Sequence, residues 1–214
     1  MKLDVRSALG TAALALAAFT AMPVAAQPLV TTGASVSLVG GPFGVARAGS
    51  PWGSPALASP SSIVDGVPQP ESQDWNLGSI WWDRGGTTGF SSFFDVFVEI
   101  DLGNVYSLSK VSMQADNNDK YGIHYRTNLV NPWQFLGYYN EVSGYGLTSR
   151  APASVSPFAA RYIALGAYDG DGYYSISEFG AYGSAVVPEP ASLLLVATGL
   201  VGLVGVARRR RSRG

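Results

Sequence analysis

The chain has no cysteine and a single histidine in 214 residues, and only 14% of it is charged. Without cysteine there is no disulfide framework, thiol nucleophile or thiolate metal site, so a packed core or an oxygen-ligated ion must hold any fold together. One histidine excludes a paired-histidine zinc site. His124 itself is expected on the polar face of a strand, facing solvent rather than acting as a general base. No G-x-S-x-G elbow and no phosphate loop is present. Basic residues are also scarce outside the two ends: between residues 27 and 187 stand seven Lys/Arg against thirteen Asp/Glu, a net charge of −6. Such a segment cannot neutralise nucleic acid and is not attracted to anionic lipid, which leaves sugars or cations as the better partners.

The two ends differ from the middle. Lys2 and Arg6 precede an apolar stretch from Leu9 to Phe19, and Val24-Ala25-Ala26 place small residues before Gln27. Residues 1–26 therefore read as a signal peptide for signal peptidase. At the other end Val187-Pro188-Glu189-Pro190 is followed by a charge-free apolar run over 191–207, then by Arg208, Arg209, Arg210, Arg211 and Arg213 in a basic end at 208–214. A helix of that run reaches roughly 25 Å, near the lower limit for a transmembrane span, and the arginines hold its end in the cytoplasm. Motif, span and basic end at 187–214 resemble the PEP-CTERM sorting tail. That resemblance implies an exosortase-type transpeptidase, a transient stay in the inner membrane, and delivery to the surface, outer envelope or extracellular matrix of a Gram-negative bacterium. An ordinary C-terminal anchor is the alternative.

Residues 27–60 alternate Pro and Gly too densely for long regular elements and read as a spacer, with Val36 and Leu38 as an edge strand. From Ser61 the texture changes to short alternating runs. Val96, Val98, Ile100 and Leu102 share a face with Phe94 opposite Asp95, Glu99 and Asp101, and Gly103-Asn104 ends the run. Val111, Met113 and Ala115 repeat the pattern, as do Tyr121, Ile123 and Tyr125. Arg161 to Tyr168 and Ser175 to Tyr182 follow, split by Asp169-Gly170-Asp171-Gly172. The expected fold is all-β, an antiparallel β-sandwich or jelly roll. Ser61-Ser62-Ile63-Val64-Asp65-Gly66, Trp81-Trp82, Val98 to Gly103, Trp133, Ala160-Arg161-Tyr162-Ile163 and Ser177 to Gly183 occur in the order of a discoidin domain. The resemblance covers residues 61–183. It implies a discoidin-like, galactose-binding-like sandwich that binds glycans, lipids or proteins through loops at one end, in many members with structural calcium.

The loops hold the candidate site. Asp116, Asn117, Asn118 and Asp119 offer oxygen ligands for calcium or partners for sugar hydroxyls, and equally suit a solvated turn. Asp169 to Gly172 fails the EF-hand pattern because Tyr173 occupies the third ligand position, so a hairpin turn is expected there. Tyr138, Tyr139 and Tyr145 lie among glycines and look loop-borne, so they are candidates for exposed stacking rings. Of the aromatics Trp75, Trp81, Trp82, Trp133, Tyr138, Tyr139, Tyr145, Tyr173 and Tyr174, most are expected in the core and two or three on the binding surface. The resemblance further implies that Asp65 and Glu178 hold Ca²⁺ where the domain's ends meet. Glu178, expected on the same side as Ile176, would otherwise be paired by Arg161. The function expected is a non-catalytic surface or matrix protein that binds extracellular polysaccharide and not nucleic acid. A purely structural surface protein and a glycan hydrolase are the alternatives.

Overall fold

Short apolar alternation becomes seven strands, all paired antiparallel, in a computed structural model that describes residues 27–84 and 93–186. They are β1 (Ser35–Gly40), β2 (Ile80–Asp83), β3 (Val96–Asp116), β4 (Lys120–Arg126), β5 (Gln134–Tyr139), β6 (Leu147–Asp169) and β7 (Tyr173–Ala185). The short 3-10 segments Pro60–Val64 and Phe93–Asp95 precede β2 and β3, and no α-helix occurs among the described residues. None of their helices is long and apolar enough to cross a membrane. The signal segment, the motif Val187 to Pro190, the 191–207 span and the terminal arginines lie outside the described residues.

Two long strands build the sandwich. The first part of β3 pairs with β1 and with the last part of β6, while its second part pairs with β7 and with the first part of β6. Gly103-Asn104 therefore does not end a strand; it bends one, at a register break between Asp101 and Tyr106 where Gly103 takes φ +79°. One layer is β1, the start of β3, the end of β6, β4 and β5. The other is β2, β7, the end of β3 and the start of β6. Ile63, Val98, Ile100, Val111, Met113, Ile163, Ile176 and Phe179 meet between them in one core. Trp82 is the large filler, packed edge-on to Phe43 at 5.6 Å and tilted against Tyr174 at 5.7 Å. A ring of that size removes ~150–250 Å² from water, which without disulfides is the main stabilising term.

Several expectations need correction. Residues 27–60 are bonded into the domain along much of their length. β1 pairs with β3 in register Ser35 to Asp101, Val30 N–H donates to Ala181 O at 2.8 Å, and Arg47 forms an ion pair with Asp83 at 3.0 Å. Two strands had no clear period, β5 and the first half of β6. Pro152 and Pro157 obscure the latter; each falls where the β3 pairing skips, which is where a residue without N–H is tolerated. Arg161 pairs with Asp101 at 2.8 Å and not with Glu178. Pairing along β7 also shifts between Gln114–Glu178 and Ala115–Ile176, a bulge at Ser177 that turns Glu178 to the face opposite Ile176. His124 is half-buried, its ring 5.1 Å from both Phe94 and Phe135, and burial lowers its pKa.

Candidate functional site

The β3–β4 turn, the β5–β6 loop and the β6–β7 turn come together at one end of the sandwich, joined there by residues of the 41–59 and 65–79 segments. Asn117 N–H donates to Gly146 O at 3.0 Å, and Asn118 Nδ2 donates to Asp171 Oδ2 at 2.9 Å. These bonds tie the three turns to one another. Glycine is needed at two of the junctions. A Cβ at Gly146 would lie 2.0 Å from Gln73 O, and one at Gly170 would lie 1.9 Å from Asp119 Oδ1. The result is a shallow cleft of about 100 Å³ lined by Trp52, Trp75, Asp116, Asn117, Asn118, Tyr145, Gly146 and Asp171. Trp52 is 48% and Tyr145 52% exposed, so two aromatic rings border an amide- and carboxylate-lined depression.

Beneath the cleft lies a buried polar layer. Arg150, 4% exposed, donates to the carbonyls of Asn140 (3.3 Å), Ala115 (3.0 Å), Thr148 (3.2 Å), Asp119 (3.1 Å) and Asp116. Burial lowers its pKa against the attraction of Tyr121 and the aspartates. Tyr121, wholly buried, donates its hydroxyl to Asp119 Oδ2 at 3.0 Å and accepts Ser175 N–H at 3.0 Å. Desolvation, reinforced by Asp116 and Asp171, pushes Asp119 up to about 9. Desolvation likewise moves Asp116 to about 7, against the N–H of Asn117. Asp119 therefore braces the loop from inside while Asp116 forms part of the cleft floor; Asn117 turns its amide to Val142 O (3.4 Å) and Gly144 O (3.2 Å), and of the four candidates Asn118 is the one exposed.

The tyrosines separate. Tyr145 is on the β5–β6 loop, its hydroxyl donating to Asp74 at 2.5 Å. Tyr138 and Tyr139 are strand residues of β5 and not loop-borne. Tyr139 is buried with its hydroxyl on Val111 O at 2.8 Å, a core role that removes it from any binding surface. Tyr138 is exposed on the outer face of the first layer, with ring centroids 4.6 Å from both Phe135 and Tyr168. Sequence reasoning missed Trp52 and Arg150: the first stands in a Pro/Gly segment with no period, the second in a Ser/Pro-rich one.

Asp65 and Glu178 are brought together on the outer face of the second layer, under the loop after Val64. Glu178 Oε1 accepts Gly66 N–H at 3.2 Å, whereas Oε2 is buried with no hydrogen-bond partner. Desolvation pushes Glu178 up to about 7, and the adjacent Asp65 adds to the shift. Among the described residues no set of three or more Asp, Glu or His is gathered closely enough to hold a metal, so an ion here would draw most ligands from backbone carbonyls.

Residues 186–211 match the model of the PEP-CTERM protein-sorting motif. No curated protein matches the chain. Among solved structures it is similar to the family 32 carbohydrate-binding module of Clostridium perfringens NanJ in complex with galactose. The identity there is 18% and the TM-score 0.47, over 72% of this chain and 97% of the module. It is similar to chitosan-binding module 2 of a Paenibacillus sp. IK-5 chitosanase/glucanase with chitotriose, at 16% identity and TM-score 0.47, over 72% of this chain and 99% of that one. It is also similar to a Clostridium perfringens family 89 glycoside hydrolase, at 18% identity and TM-score 0.46, with 75% of this chain matched to only 15% of the hydrolase. The chain thus joins an antiparallel β-sandwich, defined by its own strand pairing, to a C-terminal PEP-CTERM sorting motif.

Proposed function

We propose that the protein is exported, sorted through its tail, and displayed at the surface or in the extracellular matrix of a Gram-negative bacterium, where its discoidin-like sandwich binds extracellular polysaccharide without catalysis. Signal peptidase removes residues 1–26, and an exosortase-type transpeptidase acts at Pro188-Glu189-Pro190 after a stay in the inner membrane. The observation that carries the glycan reading is the pair Trp52 and Tyr145, both about half exposed, at the edge of a cleft lined by Asn117, Asn118 and Asp171. Ring faces suit the C–H faces of a pyranose, and amide and carboxylate groups offer the donors and acceptors that its hydroxyls require. The cleft is shallow, which suits one sugar rather than an enclosed metabolite.

Catalysis is disfavoured by burial. Asp116 and Asp119 have the raised pKa values of general acids, but Asp119 is wholly buried and Asp116, at the floor of the cleft, is only 4% exposed. Asp65 and Glu178 suit a structural calcium ion: the Glu178 carboxyl is buried against the Asp65 carboxyl, and an ion between them would compensate both the burial and the like charge. A second reading, a structural surface protein that packs against neighbours, draws support from the exposed rings of Phe135, Tyr138 and Tyr168.

Retention of the full chain in detergent on the organism's own extracellular polysaccharide tests the reading. Trp52→Ala and Tyr145→Ala should each weaken retention roughly tenfold, and Tyr139→Phe should leave it unchanged. No retention of the wild type would refute glycan binding and favour the structural reading.

A further inference from the structure

The shallow cleft at Trp52 and Tyr145 is not isolated. A second cleft, of about 230 Å³, lies on the other side of Asn118 and is lined by Lys120, Glu141, Asp169 and Gly170 as well as by Asn118 itself. The two depressions share that asparagine as a ridge, and the ridge is fixed because its amide is tied to Asp171 at 2.9 Å. Lys120 leads out of the second cleft. Its ammonium stands 4.2 Å from the ring centroid of Tyr138 and 5.8 Å from that of Tyr168. Phe135 extends the same patch, 4.6 Å from Tyr138, and the three rings are 50%, 39% and 52% exposed in the order Phe135, Tyr138, Tyr168. Aromatic rings thus stand at both ends of a polar middle.

Resting on the glycan reading above, we infer that the ligand is an extended oligosaccharide segment, lying from Trp52 and Tyr145 over Asn118 and past Lys120 onto Tyr138, Tyr168 and Phe135. The chemistry of the middle selects this occupant. Lys120 donates, Glu141 and Asp169 accept, and Asn118 does both, which matches hydroxyl groups that also do both. An apolar helix would strand those charges against its buried face. A lipid surface is disfavoured by the acidic balance of the domain, −6 between residues 27 and 187. The end rings add contact without demanding one linkage, because each reads only the face of a sugar. Tyr138 and Tyr168 are therefore specificity-determining for chain length, while Trp52 and Tyr145 bind the first sugar alone. Two weak contacts on one flexible ligand multiply through effective concentration, so length dependence is the signature of the track.

Oligosaccharides from partial hydrolysis of the organism's own extracellular polysaccharide, sized from disaccharide to hexasaccharide, serve as probes against the full chain in detergent by titration calorimetry. Wild-type affinity should rise about tenfold or more with length. The double variant Tyr138→Ala/Tyr168→Ala should keep disaccharide affinity and lose that rise, and Lys120→Ala should lose part of it. Both tyrosines are exposed, and an unchanged melting curve confirms the fold. Hydrogen exchange of the wild type offers an independent readout: hexasaccharide should protect peptides around Tyr138 and Tyr168 as well as those around Asn118 and Tyr145, disaccharide only the latter two. Flat affinity across the size series, or a length dependence that survives the double variant, overturns the track while leaving the loop site standing. Failure of every size to bind overturns both.

Discussion

Replacing Arg150 tests the assembly of the loop end most directly. Its guanidinium is 4% exposed and donates to five carbonyls spread over residues 115, 116, 119, 140 and 148. Arg150→Met keeps an unbranched apolar stem but removes the guanidinium, with its position over the Tyr121 ring at 5.4 Å, and leaves those acceptors without their donor. At about 1–3 kcal/mol for each buried acceptor left without a donor, two or more orphaned carbonyls cost about 3–5 kcal/mol, more than the ~1 kcal/mol of an average neutral hydrogen bond. For a domain of this size each kcal/mol moves the melting point by about 2–4 °C, so a drop of roughly 6–20 °C is expected. Urea unfolding followed by tryptophan fluorescence is a suitable assay, since Trp81 and Trp82 are buried in the domain and report the global transition. Arg150→Lys should fall between, because an ammonium cannot fork to carbonyls on both sides of the turn. A loss below about 1 kcal/mol in Arg150→Met, with oligosaccharide binding intact, would show that the 115–119 loop holds its shape without the guanidinium and would refute the reasoning.

Three further outcomes are expected. The folded protein holds protons on Asp119 up to about pH 9 and on Asp116 up to about pH 7, whereas the unfolded chain releases them near pH 4. That stabilisation is complete below the unfolded value and is lost as pH rises through the folded ones, so the urea midpoint should fall between pH 5 and 9. Asp119→Asn should flatten the slope and raise stability at pH 8 by on the order of 1–3 kcal/mol. If calcium joins Asp65 to Glu178, chelator lowers the melting temperature of wild type but not of Glu178→Gln; an unchanged wild-type curve removes the ion. Alanines at Pro188, Glu189 and Pro190 should leave membrane insertion intact and block only the later cleavage, and mass spectrometry of the wild-type C-terminus reads this, with Gly214 retained as the refuting result.

Strand periodicity made β3, β4 and β7 legible because each has one face in the core and one toward polar surroundings. The same rule failed at Glu178. A single extra residue at Ser177 reverses which face the carboxylate joins, and a period-2 pattern carries no mark of it. Prolines hid the first half of β6 although they occupy positions where the ladder is interrupted anyway. At the loop end, residue type was informative for Asn117 and Asn118 but silent on access, so Asp116 and Asp119 look like ligands in sequence and are buried supports in the fold. Trp52 had no periodic signal; its carbonyl accepts from Asn76, and it borders the cleft beside Asn117, Tyr145 and Asp171, which only the closed sandwich brings near it.

The bonding of residues 28–30 to residues 181–183 bears on delivery. Val30 N–H reaches Ala181 O at 2.8 Å and Gly183 N–H reaches Pro28 O at 3.1 Å, so the first described stretch closes against the last strand. A chain that crosses a membrane N-terminus first must wait for almost the whole domain before these segments can meet. Until then Val30 N–H and Pro28 O have no partner on β7. For a chain exported in that direction, translocation and folding would be ordered in time, the domain closing only as the chain nears residue 186, the point from which the sorting motif follows.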